Sequence, residues 1–118
     1  MTNQRSKAFD IFKVLSSKPS TPEGAEAAYM VVQDTYDQGG YAKVESLVAD
    51  FSNKAGDQYY WLAKSFIVLG DSFVELDKIA QAKATFESIR NGYTPQEDGD
   101  DVLDAVDMRL AKLKNIKK

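Results

Sequence analysis

The chain of 118 residues contains no cysteine and no histidine. The first absence removes disulfides, thiolate metal sites and cysteine nucleophiles. The second removes the commonest general base, so this chain alone can form neither a Ser-His-Asp nor a Cys-His arrangement. No apolar run approaches the ~18 residues that a membrane helix needs, so no membrane insertion is expected. Met1 to Lys7 are polar and no apolar segment of the signal-peptide kind follows them. Fifteen Lys and Arg against eighteen Asp and Glu give a net charge of −3, and a nucleic-acid partner would demand a basic footprint instead. What remains, 43% hydrophobic and 28% charged, is the composition of a globular chain, and its length suits one domain over 1–118.

The apolar residues recur at helical spacing throughout. Ala8, Phe9, Phe12 and Leu15 make one stripe over 4–16, and Pro19 stops that helix because it disfavours helical geometry at the residue before it. Thr21 is placed to cap a new helix, with Pro22 at its first position and Glu23 in its first turn. That helix should run to about Gln38, where Gly39-Gly40 turns the chain. Tyr41 to Lys54 returns, with Val44, Leu47, Val48 and Phe51 inward and Gly56 closing the helix. Asp57 is expected to cap the next helix, which reaches about Leu76 and contains Gly70. A glycine there costs roughly 1 kcal/mol against alanine, and close approach of the paired helix would justify it. Lys78 to Arg90 returns, with Ala82 at the crossing and Ile79, Phe86 and Ile89 in the core. Asn91-Gly92 and Pro95 end it. The last helix spans about 100–115, with Val102, Val106, Leu110 and Leu113 buried, Leu103 in part, and its acidic residues first and basic residues last, as the helix macrodipole favours.

Two stretches repeat each other at an offset of thirty-eight. Phe66, Leu69, Gly70, Phe73, Ala82 and Phe86 occupy the slots that hold Ala28, Val31, Val32, Thr35, Val44 and Val48 upstream, and Gly39-Gly40-Tyr41 aligns with Asp77-Lys78-Ile79. The second set reproduces the large-x2-Leu-Gly-x2-aromatic…Ala-x3-Phe spacing of a tetratricopeptide helix pair, so the chain resembles that family. The four residues beyond the usual 34-residue period, Tyr59 to Leu62, amount to one added turn. The resemblance implies an all-α, right-handed superhelical solenoid of antiparallel hairpins with about six helices. Its parts would be a helix over 4–16 from a partial upstream repeat, repeats over 21–56 and 57–95, and a capping helix over 100–115. It also implies that Met1 begins partway through a repeat of a longer bacterial protein. Loose similarity to envelope repeat proteins suggests the periplasm or cell envelope, although no residue specifies it.

Function follows from the same resemblance: a non-catalytic scaffold, without cofactor or metal, that presents a concave groove to a protein or peptide. A purely structural or self-associating module that packs on an upstream domain is the alternative. The first helix of each pair lines the groove in this family. The alignment therefore places Tyr29, Gln33 and Tyr36 there from the first repeat, and Lys64, Ile67, Asp71 and Val74 from the second. Tyr29 and Tyr36 lie seven apart and so do Ile67 and Val74, which predicts an aromatic row beside an aliphatic row. A subclass of the family grips a peptide carboxylate with paired Lys and Asn residues. Only Lys64 matches that pattern, and Asp71 would oppose a carboxylate. Three other features read as structural. Glu97 to Asp101 lacks the alternate-position oxygens and the final Glu of a helix-loop-helix calcium site, and fits a capped loop. Gly39-Gly40 lacks the Lys-Ser/Thr of a phosphate loop. Tyr59, Tyr60 and Trp61 have no basic patch beside them, so Trp61 is expected to be buried at a helix–helix contact rather than to stack on bases.

Overall fold

A computed structural model describes residues 20–114, and the helix expected over 4–16 lies outside them. Five α-helices and no strand make up the described residues: α1 (Pro22–Asp37), α2 (Tyr41–Lys54), α3 (Tyr59–Glu75), α4 (Ile79–Gly92) and α5 (Val102–Lys114). Each packs against the next, and α1 also meets α3, as α3 meets α5.

Local chemistry sets most of the boundaries. Thr21 is extended and its Oγ1 accepts the Gly24 N–H at 3.1 Å, with Pro22 opening α1 behind it. The α1–α2 turn places Gly39 at φ +82, where a glycine carries no Cβ penalty. Asp57 does not cap α3. Gln58 holds that position without a capping side-chain hydrogen bond, and its side-chain amide donates to the Asp57 carboxylate at 3.4 Å. The helix accordingly starts at Tyr59, one residue later than a cap at Asp57 would place it. At the far end, the Asp100 carboxylate accepts the Val102 N–H, the Gln96 N–H (both 2.9 Å) and the Tyr93 hydroxyl, tying the α4–α5 loop to the start of α5.

The thirty-eight-residue offset reappears in the backbone. Helices α1 and α3 end at equivalent positions, and α2 and α4 begin and end at equivalent positions. In the first turn the Gly39 N–H donates to Tyr36 and the Gly40 N–H to Thr35. In the second the Asp77 N–H donates to Val74 and the Lys78 N–H to Phe73, one offset further on in every case. Asp77, at φ +61, adopts the left-handed conformation that Gly39 supplies upstream. Asp is among the few non-glycine residues that visit it.

The core gathers Val44, Val48, Phe73, Ala82, Phe86, Val102 and Val106 around α3, with Leu47, Ile79 and Leu110 partly buried against it. A smaller cluster of Ala25, Ala28, Phe51 and Ala55 lies under Trp61 and Leu62. Trp61 is half-buried rather than enclosed, because α3 lays its ring along the edge of that cluster. The tightest crossing is between α3 and α4. A Cβ on Gly70 would fall 2.4 Å from Phe86 Cε1 and 2.5 Å from Cζ, and Phe86 is fully buried. The glycine is there to admit the ring.

Two outcomes follow from these contacts. Gly70→Ala should destabilise the domain by about 1–3 kcal/mol in chemical denaturation, because overpacking outweighs the gain in helix propensity. Phe86→Leu should cost less in that background than alone, and additive effects in the double-mutant cycle would refute the contact. Burial opposes ionisation of Asp100, but its three hydrogen bonds hold its carboxyl below its ordinary 3.8. A folded pKa below the unfolded one stabilises above the unfolded value and is lost as pH falls through the folded one. Asp100→Asn should therefore be less stable than wild type at pH 7, and acid titration of the two melts should show the difference vanish below the usual carboxylate range.

Candidate functional site

Helices α1, α3 and α5 share one face. A cavity of about 220 Å³ opens on it, and five of the seven residues expected in the groove line that cavity: Tyr29, Gln33, Lys64, Ile67 and Asp71. Val68 of α3 and Asp101, Val102, Ala105 and Arg109 of the α5 region complete the wall. Tyr36 and Val74 are not part of the lining. The Tyr36 ring lies 5.2 Å from that of Tyr41, and both Tyr36 and Val74 pack partly against the core.

The two tyrosines of the expected aromatic row belong to separate ring pairs, Tyr29 with Trp61 and Tyr36 with Tyr41. Along α1 the Tyr29 hydroxyl donates to Gln33 Oε1 at 3.2 Å, and Gln33 Nε2 donates to Asp37 at 3.0 Å, which fixes the polar edge of the helix. The Tyr29 ring lies 5.5 Å from Trp61. Partial burial, followed by the charges of Asp71 and Glu75, pushes the Tyr36 hydroxyl above its ordinary pKa, so it remains a neutral donor and acceptor at physiological pH. The aliphatic row is not an open row. Ile67 is only 6% exposed and belongs to the core cluster that includes Val102 and Val106. The α5 helix brings those valines over a position that the two-hairpin alignment treats as free.

Lys64 and Asp71 each have neighbours that residue-by-residue reading missed. The Lys64 ammonium sits 5.3 Å from the Tyr29 ring centroid, 5.4 Å from Tyr60 and 5.9 Å from Trp61, a seat that favours a cation by ring quadrupole. Asp71 receives Arg109 in a two-pronged pair, Nε to Oδ1 at 2.8 Å and Nη2 to Oδ2 at 3.0 Å. The carboxylate of Asp71 is thus neutralised, and the repulsion expected of it toward an anionic ligand is largely cancelled. A signal for this pair exists in the sequence. Gln33, Asp71 and Arg109 are successive positions at the thirty-eight-residue offset, so opposite charges at equivalent slots of adjoining helices face each other.

Among the described residues no group of three or more acidic side chains is arranged to hold a metal ion, and no helix is long and apolar enough to cross a membrane. Compared with protein-family models, curated proteins and solved structures, the chain has no significant match.

The Asp71–Arg109 pair is two-thirds or more shielded and joins α3 to α5. A double-mutant cycle with Asp71→Ala and Arg109→Ala should return a coupling of about 1 kcal/mol, the upper end for partly exposed pairs, and less in high salt. Purely additive losses would mean that the pair does not hold α5 in place.

Proposed function

We infer that this chain is a non-catalytic binding scaffold built of tetratricopeptide-like hairpins, with α1, α3 and α5 offering their common face to a peptide or protein. The observation that carries this reading is the recurrence at one offset of the turn hydrogen bonds, of the C-terminal ends of α1 and α3 and of both bounds of α2 and α4. Stacked equivalent hairpins form a solenoid, and solenoids present extended surfaces assembled from successive repeats. On this reading α1–α2 and α3–α4 are the two repeats and α5 is a closing helix that stands as the first helix of a third.

The face suits recognition better than reaction. Its polar groups engage one another: Tyr29 with Gln33, Gln33 with Asp37, Asp71 with Arg109. Ordered rings and tethered polar groups lose little conformational freedom when a partner arrives, which favours affinity through preorganisation. Tyr29, Gln33 and Lys64 line the cavity, and Tyr36, two turns along α1 from Tyr29, would extend the contact beyond it. Ile67 and Asp71 support them from within the wall.

The test is a peptide-display selection on the immobilised domain, followed by calorimetry on the enriched sequences. Tyr36→Ala should weaken such peptides by about 1–2 kcal/mol, as for an aromatic interface anchor, whereas Tyr36→Phe, which keeps the ring, should retain most of the affinity. Thermal melts on both variants separate lost binding from lost folding. Selected peptides that bind both variants as tightly as wild type would place the binding surface elsewhere.

A further inference from the structure

A second hollow lies at the open end of the α3–α4 hairpin, away from the face just described. It measures about 650 Å³ and is walled mainly by apolar side chains, with Leu62, Ala63 and Phe66 on α3 and Ile89 on α4, and Tyr93 just beyond it. Tyr59, at its edge, is 53% exposed. Moved back by one offset, four of these five wall positions are Ala25, Ala28, Phe51 and Ala55, and those four residues are the small buried cluster of the first hairpin. There the same location is closed, because Trp61 and Leu62 from the start of the next helix pack over it.

Among the described residues the second hairpin has no such cover. One offset beyond Trp61 and Leu62 stand Gly99 and Asp100, neither of which carries apolar bulk. Helix α5 begins only at Val102, five residues after the position equivalent to the start of α3. Asp100 is moreover committed to Tyr93, Gln96 and Val102. The turn that seals the first hairpin is therefore missing from the second, and the hollow is the gap it leaves.

We propose that this hollow is a docking site for a helical segment of a partner protein that presents a large aromatic residue followed by an aliphatic one. The occupant is specified by the chain itself: the first hairpin receives Trp61-Leu62 from a helix start, and the equivalent walls of the second would receive the same pair from outside. Size falls within the range of pockets that enclose small ligands or single side-chain anchors, and buried aromatic anchors tend to dominate such interfaces. This inference shares the internal repeat with the scaffold reading but uses a surface other than the α1/α3/α5 face, so either surface can fail as a binding site without the other.

The probe is a fluorescein-labelled synthetic peptide copying residues 57–69 of this chain, titrated with the whole protein and read by anisotropy. Saturable binding is expected, with loss of at least tenfold in affinity when the peptide's Trp61 and Leu62 are both replaced by alanine. Ser88 and Ala84 line the hollow, are exposed and lie on α4. Ser88→Arg and Ala84→Arg, each checked for an unchanged melt, should likewise reduce affinity at least tenfold. Absence of saturable binding overturns the proposal. Binding that Ser88→Arg and Ala84→Arg leave intact also overturns it, since the peptide would then be replacing α3 over the first hairpin. Sedimentation of the protein alone should show a monomer; a dimer dispersed by Ser88→Arg would assign the hollow to a second copy and overturn the proposal.

Discussion

The Phe86 ring against the bare backbone of Gly70 is the contact on which the rest of this structure depends. It sets how near α4 comes to α3, and α3 is the helix that every other described helix touches. The first hairpin solves the same crossing differently. Val32 and Val48 stand at the equivalent positions and both are buried, so two medium side chains upstream replace a glycine and a large ring downstream. Total volume at the crossing is roughly kept while its shape changes, the kind of exchange that packed cores tolerate. The two hairpins can therefore share backbone register without sharing residues.

That register explains why so much of the fold could be read from the chain. Helix ends depend on a few local devices, and Thr21-Pro22, Gly39 and the Ala82–Phe86 stripe each announce themselves at short range. Asp57 was misleading because a good capping residue type does not oblige the helix to start beside it. Packing was less legible where it depends on a third element. Ile67 lies on a row that looks free until α5 covers it, and Trp61 lies at the border of a small cluster instead of inside one. The site residues were found by position in the repeat, but their partners were not. Lys64 rests on rings from two helices, and Asp71 is answered from a helix thirty-eight residues away.

Departures from the repeat carry as much information as the repeat itself. Asp77 takes a left-handed backbone conformation that Gly39 takes without cost, so equivalent turns are built from residues of different backbone preference. The late start of α5 is a departure of another kind. It trades a sealing turn for a loop organised around one carboxylate, and a short change in where a helix begins decides whether a hairpin end is closed by the helix that follows it.

Trp61 has a consequence of a different sort. It is the sole tryptophan, it touches Tyr29 of one hairpin and Tyr60 of the other, and from the second hairpin it covers the small cluster of the first. Its emission therefore reports on one joint and not on an average over the domain. With no cysteine in the chain, a single dye can be attached at any chosen surface position without removing a native thiol. The protein thus carries a built-in optical gauge of whether its two hairpins remain seated on each other, and it accepts a second label wherever a distance from that gauge is wanted.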